Sequence, residues 1–309
     1  MRVTTVVLNY RNVDDTLRCV ASLRRSTVAS SLVVVDNGAT EETRARFASE
    51  LPEQTVVHLD ANDGYAAGNN VGLRIALDRG ADAVWILNPD TRVASDALQR
   101  QFEALERRPD VGVLGARILN GHGDGTIWFD GGTIDWATLG TAHVHAGARA
   151  AEVPADEVPV DVDYVTGASM LVRRPVLERV GLLPERYFLY YEETDFNLRA
   201  RAEGFGIAVA RQAVVTHYQR SYEALPSVHY IYYYVRNRLL FAAEHAPHLT
   251  ADAVEAGVRA WSDGWRTKVA RNAPGWLDVF DALVDAAVSD GRSGRDGKVD
   301  LTRFQEPPQ

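Results

Sequence analysis

Val3-Thr4-Thr5-Val6-Val7-Leu8, closed by Asn9 and followed by Asp14 to Arg25 with Leu17, Val20, Ala21 and Leu23 at roughly helical spacing, is the stretch that decides the fold. A short β-branched run reads as a strand, and the periodic run behind it as a helix. The alternation recurs. Leu32 to Val35 reads as a strand, Thr40 caps a helix through Leu51, and Thr55 to Leu59 is the next strand. Ala66 to Arg79 reads as a helix, Ala83 to Leu87 as a strand, Ser95 caps a helix to Arg108, and Val111 to Gly115 is a further strand. Strands joined by helices of about 10 to 14 residues imply right-handed βαβ crossovers and a mainly parallel sheet, whose ligands bind beyond the carboxyl ends of the strands.

After Gly115 the regular winding stops. Gly121 to Gly140 is Gly-rich and β-like, and Glu152 to Pro159 is an acidic, Pro-containing stretch that reads as a surface loop. A strand is expected over Tyr164 to Val172, a short helix near Pro175 to Val180, a loop at Tyr187 to Tyr191 and an acidic helix start at Glu192. Residues 225–290 are mostly helical in pattern, and the Gly-rich, charged tail from Ser289 is expected to fray.

The 309 residues are 46% hydrophobic and 24% charged, within the range of soluble globular proteins, which excludes a disordered, collagen-like or disulfide-scaffold chain. Lys plus Arg number 33 against 42 Asp plus Glu, a formal net charge of −9, so the basic surface of a general nucleic-acid binder is missing. The one cysteine, Cys19, excludes an intrachain disulfide and a Cys-rich zinc site, and a cytoplasmic location is the expectation. Val3 to Leu8 is too short for a signal-peptide core, and no stretch approaches about 18 uncharged apolar residues, so any membrane contact is expected to be peripheral.

Chemistry-bearing residues fall where the predicted strands end. Asp36-Asn37-Gly38 follows Val33-Val34-Val35, placing a carboxylate where it can accept hydrogen bonds from a ribose or base; a plain turn is the alternative. Asn62-Asp63-Gly64-Tyr65-Ala66-Ala67-Gly68-Asn69-Asn70 enters a helix with glycines that allow close backbone approach and amides available to an anion, although it lacks the P-loop Lys-Ser/Thr pair and the Rossmann glycine spacing. In Leu87-Asn88-Pro89-Asp90-Thr91, Asp90 lies where a divalent ion could bridge it to a diphosphate, or it is only a helix-entry Asp. Glu192-Glu193-Thr194-Asp195 crowds three carboxylates behind an aromatic run. Such crowding raises a carboxyl pKa toward that of a general base, and the alternative is an acidic helix start facing water. His217 follows Ala213-Val214-Val215-Thr216 at a strand exit, as a metal ligand or an ordinary surface histidine, and His143 and His145 alternate on one strand face.

In order along the chain, these pieces are Val7-Leu8-Asn9-Tyr10, Val33 to Gly38, Asn62 to Asn70, Leu87 to Thr91, Gly167 to Val172, Tyr187 to Arg199, His217 and Tyr233-Tyr234-Val235-Arg236-Asn237-Arg238. Together they resemble the family-2 glycosyltransferases of the GT-A fold, especially the rhamnosyltransferase-like branch. The resemblance implies a GT-A nucleotide-diphospho-sugar transferase fold over residues 1–224. Its halves are a nucleotide-sugar-binding part, 1–115, and an acceptor and catalytic part, 116–224, and a C-terminal helical region, 225–309, follows. It also implies an inverting transfer of a sugar, rhamnose or a related one, from a dTDP- or UDP-linked donor to a hydroxyl of a glycan, lipid-linked or small-molecule acceptor, with Mg2+ or Mn2+ as cofactor.

The residues that the resemblance assigns to the donor are Asn9, Asp36, Asn62, Gly64, Asn69, Asn88, Asp90 and Arg236, with Asp90 and His217 on the metal. The family's Asp-x-Asp motif has Asn88 in its first position here, which removes one negative ligand. Its Glu-Asp-x-Asp segment appears as Glu192-Glu193-Thr194-Asp195, and the base is expected to be Glu193, then Asp195, then Glu192. No covalent nucleophile is required, and Cys19 on a predicted helix is a poor one.

A non-catalytic nucleotide-sugar-binding module of the same fold is the alternative, supported by Asn88 and Glu193. A sugar-phosphate nucleotidyltransferase should carry a Gly-rich, basic loop after the first strand, where this chain has Asn9-Tyr10-Arg11-Asn12. Arg259, Trp261, Trp265, Arg266, Lys268, Arg271 and Trp276 mix cations with indoles; they suit either a membrane interface or a stripe that packs the helix.

Overall fold

The computed structural model describes residues 1–123, 125–218 and 225–308. The first third runs β1 (Val3–Asn9), α1 (Val13–Leu23), β2 (Ser31–Asn37), α2 (Glu41–Glu50), β3 (Thr55–Leu59), α3 (Tyr65–Asp78), β4 (Ala83–Leu87), β5 (Thr91–Val93), α4 (Ala97–Arg107) and β6 (Val111–Asn120). Then come β7 (Ile127–Phe129), β8 (Gly132–Asp135), β9 (Gly140–His143), β10 (Val160–Asp161), β11 (Ser169–Arg173), α5 (Arg174–Val180), α6 (Glu192–Ala202), β12 (Gly206–His217), α7 (Val228–His245), α8 (Ala251–Asn272) and α9 (Leu277–Arg292).

The chain divides into two compact units. The first comprises Met1–Thr133, His143–Pro184 and Glu193–Gln219; the second comprises Ile134–Ala142, Glu185–Glu192 and Arg220–Gln309. A boundary after residue 224 falls next to residues 219–224, outside the described residues.

In the first unit the described strands form one sheet in the order β10-β12-β6-β11-β4-β1-β2-β3, with β5 beside β12 and β7 beside β6. β1 pairs in parallel with both β2 and β4, in a register that puts Asn9 opposite Asp36. β11 inserts antiparallel between β4 and β6, with Ser169 opposite Leu87. This brings the turn before β11 to the carboxyl ends of β1, β2 and β4. Val6, Val33, Val34 and Ile86 are fully buried along these strands, and such runs suit a sheet covered on both faces. α3 lies close on β1 because Gly72 is small: an added Cβ would stand 2.4 Å from Val6 Cγ1.

The parallel β3-β2-β1-β4 part and the order of helices and strands are as expected, whereas beyond β4 the sheet is mixed, with β11, β10, β5 and β7 antiparallel to their neighbours; three local differences follow. Asp96, not Ser95, is the N-cap residue of α4; the Ser95 carbonyl instead accepts from the Thr27 amide. The strand expected from Tyr164 begins only at Ser169, because Val165 bonds through both backbone groups to the Asn197 side chain and leaves the ladder. The tail expected to fray is held: Gly297 N–H donates to Arg186 O, Trp276 Nε1–H donates to Gln305 O, and Leu301 is buried.

The second unit is built on α7, α8 and α9, with Tyr232, Phe241, Val258, Phe280 and Leu283 in its core. Trp276 is buried, Arg259 pairs with Glu255 and Asp285, Arg266 pairs with Asp281, and Trp261 stacks on Tyr234 at 4.4 Å. The cation–indole mixture is thus largely engaged inside the unit. Among the described residues no helix is long and apolar enough to cross a membrane.

The segment entering α6 is clamped within this unit. Phe188, Tyr190 and Tyr191 have φ of 64°, 68° and 74°, and a left-handed backbone costs a side-chain-bearing residue about 1–2 kcal/mol. Asn237 Nδ2 holds the turn, donating to the carbonyls of Tyr187, Leu189 and Tyr190 at 3.0, 2.7 and 2.9 Å. Asn237→Ala leaves these carbonyls short of a donor and is expected to destabilise the protein by about 3 kcal/mol, read as a lowered denaturant midpoint at unchanged slope.

Candidate active site

Two of the expected residues, Asn88 and Glu193, meet around one turn of the first unit. Asn88 N–H donates to Ala168 O at 3.2 Å, and Tyr65 O–H donates to Gly167 O at 2.8 Å. The Gly167 amide in turn donates to the Glu193 carboxylate. Gly167 is required here, since a Cβ would lie 2.4 Å from the Tyr65 hydroxyl. Asn197 fixes the start of α6 from below, donating from Nδ2 to Glu193 O at 2.6 Å. The loop after β4 and the first turn of α6 therefore share the Val165–Ala168 turn as a common anchor.

Glu193 keeps one carboxylate oxygen, Oε2, buried and without a hydrogen-bond partner among the described residues. Burial pushes its pKa above the ordinary value, against the bonds from the amides of Glu193 and Gly167. Asp195 differs: it is 1% exposed and its Oδ1 accepts from Arg199 Nε at 2.6 Å, which holds it as an ion-paired group. Glu192 is buried and belongs with the second unit.

Asp90 meets His217, whose Nε2–H donates to Asp90 Oδ1 at 3.0 Å. Antiparallel pairing of β5 with β12 places them, with His217 opposite Thr91. Asp90 is half-buried, whereas His217 is buried. This donor set fits a divalent cation: two ligands about 2.1 Å from an octahedral ion stand about 3.0 Å apart, and a carboxylate, an imidazole and the nearby Asn88 amide are ligand types that Mg2+ or Mn2+ accepts.

The ends of β1 and β2 are framework. Asp36 is 1% exposed and both its oxygens are taken: Asn9 Nδ2 donates to Oδ1 at 2.8 Å, and Thr43 Oγ1 and His58 Nδ1 donate to Oδ2 at 2.7 and 2.9 Å. Asn9 and Asp36, expected on the donor side, are thus held rigidly at the ends of β1 and β2, with their side chains buried and hydrogen-bonded. Asn62 braces the loop into α3, its Oδ1 accepting from Gly64 N–H and Asn37 Nδ2, both at 2.9 Å. Gly64, with φ 104°, precedes an α3 start that no side chain caps. Asn69 Nδ2 donates to Tyr65 O, while Asn69 Oδ1 and Asn37 Oδ1 are buried without partners among the described residues.

Arg236 is also expected on the donor side. It lies in the second unit, fully buried, with its guanidinium donating to Tyr187 O, Gly297 O and Asn237 Oδ1, so it braces that unit. Cys19 is buried, and burial pushes its thiol up to about 11, which leaves no nucleophile there. Sequence reasoning passed over Tyr65 and Asn197 as separate actors, and over Asn37 beside Asp36; Asn37 directly follows a buried strand's last carboxylate, which is the signal that marks it.

The sequence profile described as "Glycosyltransferase like family 2" matches residues 1–239. Relatives include the low-salt glycan biosynthesis hexosyltransferase Agl10 of Haloferax volcanii, 27% identical over 76% of this chain and 73% of its own length. The N-acetylglucosaminyl-diphospho-decaprenol L-rhamnosyltransferase of Mycobacterium tuberculosis is 26% identical over 78% of this chain and 84% of its own. Among solved structures, the mannosyltransferase PcManGT of Pyrobaculum calidifontis, in complex with GDP-Man and Mn2+, superposes with a TM-score of 0.55 at 16% identity, covering 94% of this chain and 87% of that one. GalNAc-T7 with UDP, GalNAc and Mn2+ gives 0.59 at 14% identity, and this chain spans 58% of its length. These likenesses establish the GT-A architecture of the sheet, and the profile covers most of the sequence: the chain belongs to glycosyltransferase family 2 and is a glycosyltransferase.

Proposed function

We propose that the first unit binds a nucleotide-diphosphate sugar at the carboxyl edge of its sheet and transfers the sugar, with inversion, to an acceptor hydroxyl that Glu193 deprotonates. The observation that carries this reading is the Glu193 carboxylate, anchored by Gly167 on the same turn that anchors Asn88, with Oε2 buried and without a hydrogen-bond partner among the described residues. Asp90 and His217, with Asn88 through its amide oxygen, would hold Mg2+ or Mn2+ beside the donor diphosphate. When bound, that ion neutralises charge growing on the leaving group. Asn62, Gly64 and Asn69 shape the nucleotide side of the pocket at the start of α3.

The chain's own part in the chemistry is positional and basic. Gly167 and Asn197 fix Glu193, and its carboxylate accepts the proton of the acceptor hydroxyl as that oxygen bonds to the anomeric carbon. The bond from that carbon to the diphosphate oxygen breaks on the opposite face, which inverts the centre. Asp195, tied to Arg199, keeps α6 in place.

The donor class we favour is a dTDP- or UDP-sugar, rhamnose or a related hexose, in line with the rhamnosyltransferase and hexosyltransferase names of the two relatives. Incubating the protein with a panel of dTDP- and UDP-sugars and Mn2+ or Mg2+, with glycan and lipid-linked acceptors, should release nucleoside diphosphate for at least one pair. Tight donor binding with no release across the whole panel would replace this reading with a non-catalytic binding module.

A further inference from the structure

Ile127-Trp128-Phe129, in the Gly-rich stretch to which the sequence assigned no role, lies against the metal-side histidine. Histidines that face a metal ordinarily have their second ring nitrogen fixed by a carboxylate, carbonyl or water, and that bond sets the plane of the ring. His217 has none: Nδ1 is buried and lacks a hydrogen-bond partner among the described residues. What touches the ring instead is Trp128, edge to face, with centroids 4.6 Å apart and planes at 72°.

Trp128 is itself held from the other side. The His143 ring meets it at 4.7 Å and 79°, and His143 Nδ1–H donates to the Trp128 carbonyl at 3.0 Å. Phe129 closes on His143 at 5.0 Å. Burial lowers the His143 pKa, which disfavours the charged form of this ring. The Trp128 indole N–H is buried and makes no hydrogen bond among the described residues, so the ring surface is what the residue contributes.

We propose that Trp128 is the positioning residue for His217, its indole taking the place of the missing hydrogen bond and holding Nε2 toward Asp90 and the cation. This rests on the assignment of His217 made above. An imidazole released from that contact retains only the Asp90 bond and can turn about its side-chain torsions, so the loss falls on metal affinity before it falls on the chemical step.

The test is Mn2+ binding in the presence of dTDP or UDP, followed by electron paramagnetic resonance of the free ion, in the native protein and in W128A, W128L and W128F. W128A and W128L should weaken Mn2+ binding about tenfold or more, and W128F should remain within about threefold of native. Turnover at saturating Mn2+ should stay close to native in W128L, with the change confined to the Mn2+ requirement. W128L carries the test alone if W128A does not fold. Native affinity in W128L, or a W128F protein as weak as W128L, overturns the role of the ring. If the native protein shows no nucleotide-dependent Mn2+ binding, the metal assignment of His217 and this proposal fall together.

Discussion

Asp90→Ala is expected to lower sugar transfer on the order of 10³-fold, because a metal clamp on a leaving diphosphate is worth several kcal/mol and this variant removes its only carboxylate among Asn88, Asp90 and His217. The half-buried position of Asp90 and its single side-chain bond to His217 predict a melting temperature near native. Activity of the native enzyme should fall similarly in excess chelator and return on adding Mn2+ or Mg2+. Full activity in chelator would remove the metal from the mechanism and leave His217 as a direct hydrogen-bond donor to the diphosphate.

Glu193→Gln should cost about 10²- to 10⁴-fold in turnover while donor affinity stays nearly native, since the amide preserves shape but cannot accept the proton. The pH dependence has a definite sign. Burial raises the Glu193 pKa above its ordinary 4.5, and only the carboxylate acts as base. Turnover should therefore decline as pH falls through that raised value, by tenfold per unit at the low end, and the limb should vanish in the Gln variant. Asp195→Asn should act chiefly through stability, as it loosens the pair that buried Asp195 makes with half-buried Arg199. If Asp195→Asn abolishes turnover and Glu193→Gln keeps it, the base is Asp195.

How much of this was legible before any coordinates follows from which forces were local. The βαβ part could be read because β-branched runs and helical periodicity are short-range signals, and the strand ends then place Asn9, Asp36 and Asp90 on one edge of the sheet. Glu193, Asp90 and His217 could be named from motif order. The motif ranks Glu193 before Asp195 as the base, but what sets the two apart physically is their partners, contributed by residues such as Gly167 and Arg199. Asp36 shows the same limit: a carboxylate at a strand end suggests a ligand, and the hydrogen bonds that Asn9, Thr43 and His58 make to its two oxygens depend on three separate elements meeting. Arg236 is assigned to the donor by the family resemblance, and its hydrogen bonds to carbonyls 49 and 61 residues away in sequence could not be read from that motif. Trp128 carries no motif signal, because its contacts with His143 and His217 depend on how β7 pairs with β6.

The most direct test is a calorimetric titration of the native protein with a dTDP- or UDP-sugar that it accepts, in Mn2+ and again in chelator, with Asp90→Ala alongside. A diphosphate held through the cation at Asp90 and His217 predicts that chelation weakens the donor on the order of tenfold or more, and that Asp90→Ala in Mn2+ matches the chelated native protein. Equal donor affinity in all three titrations would contradict a metal-bridged diphosphate at Asp90.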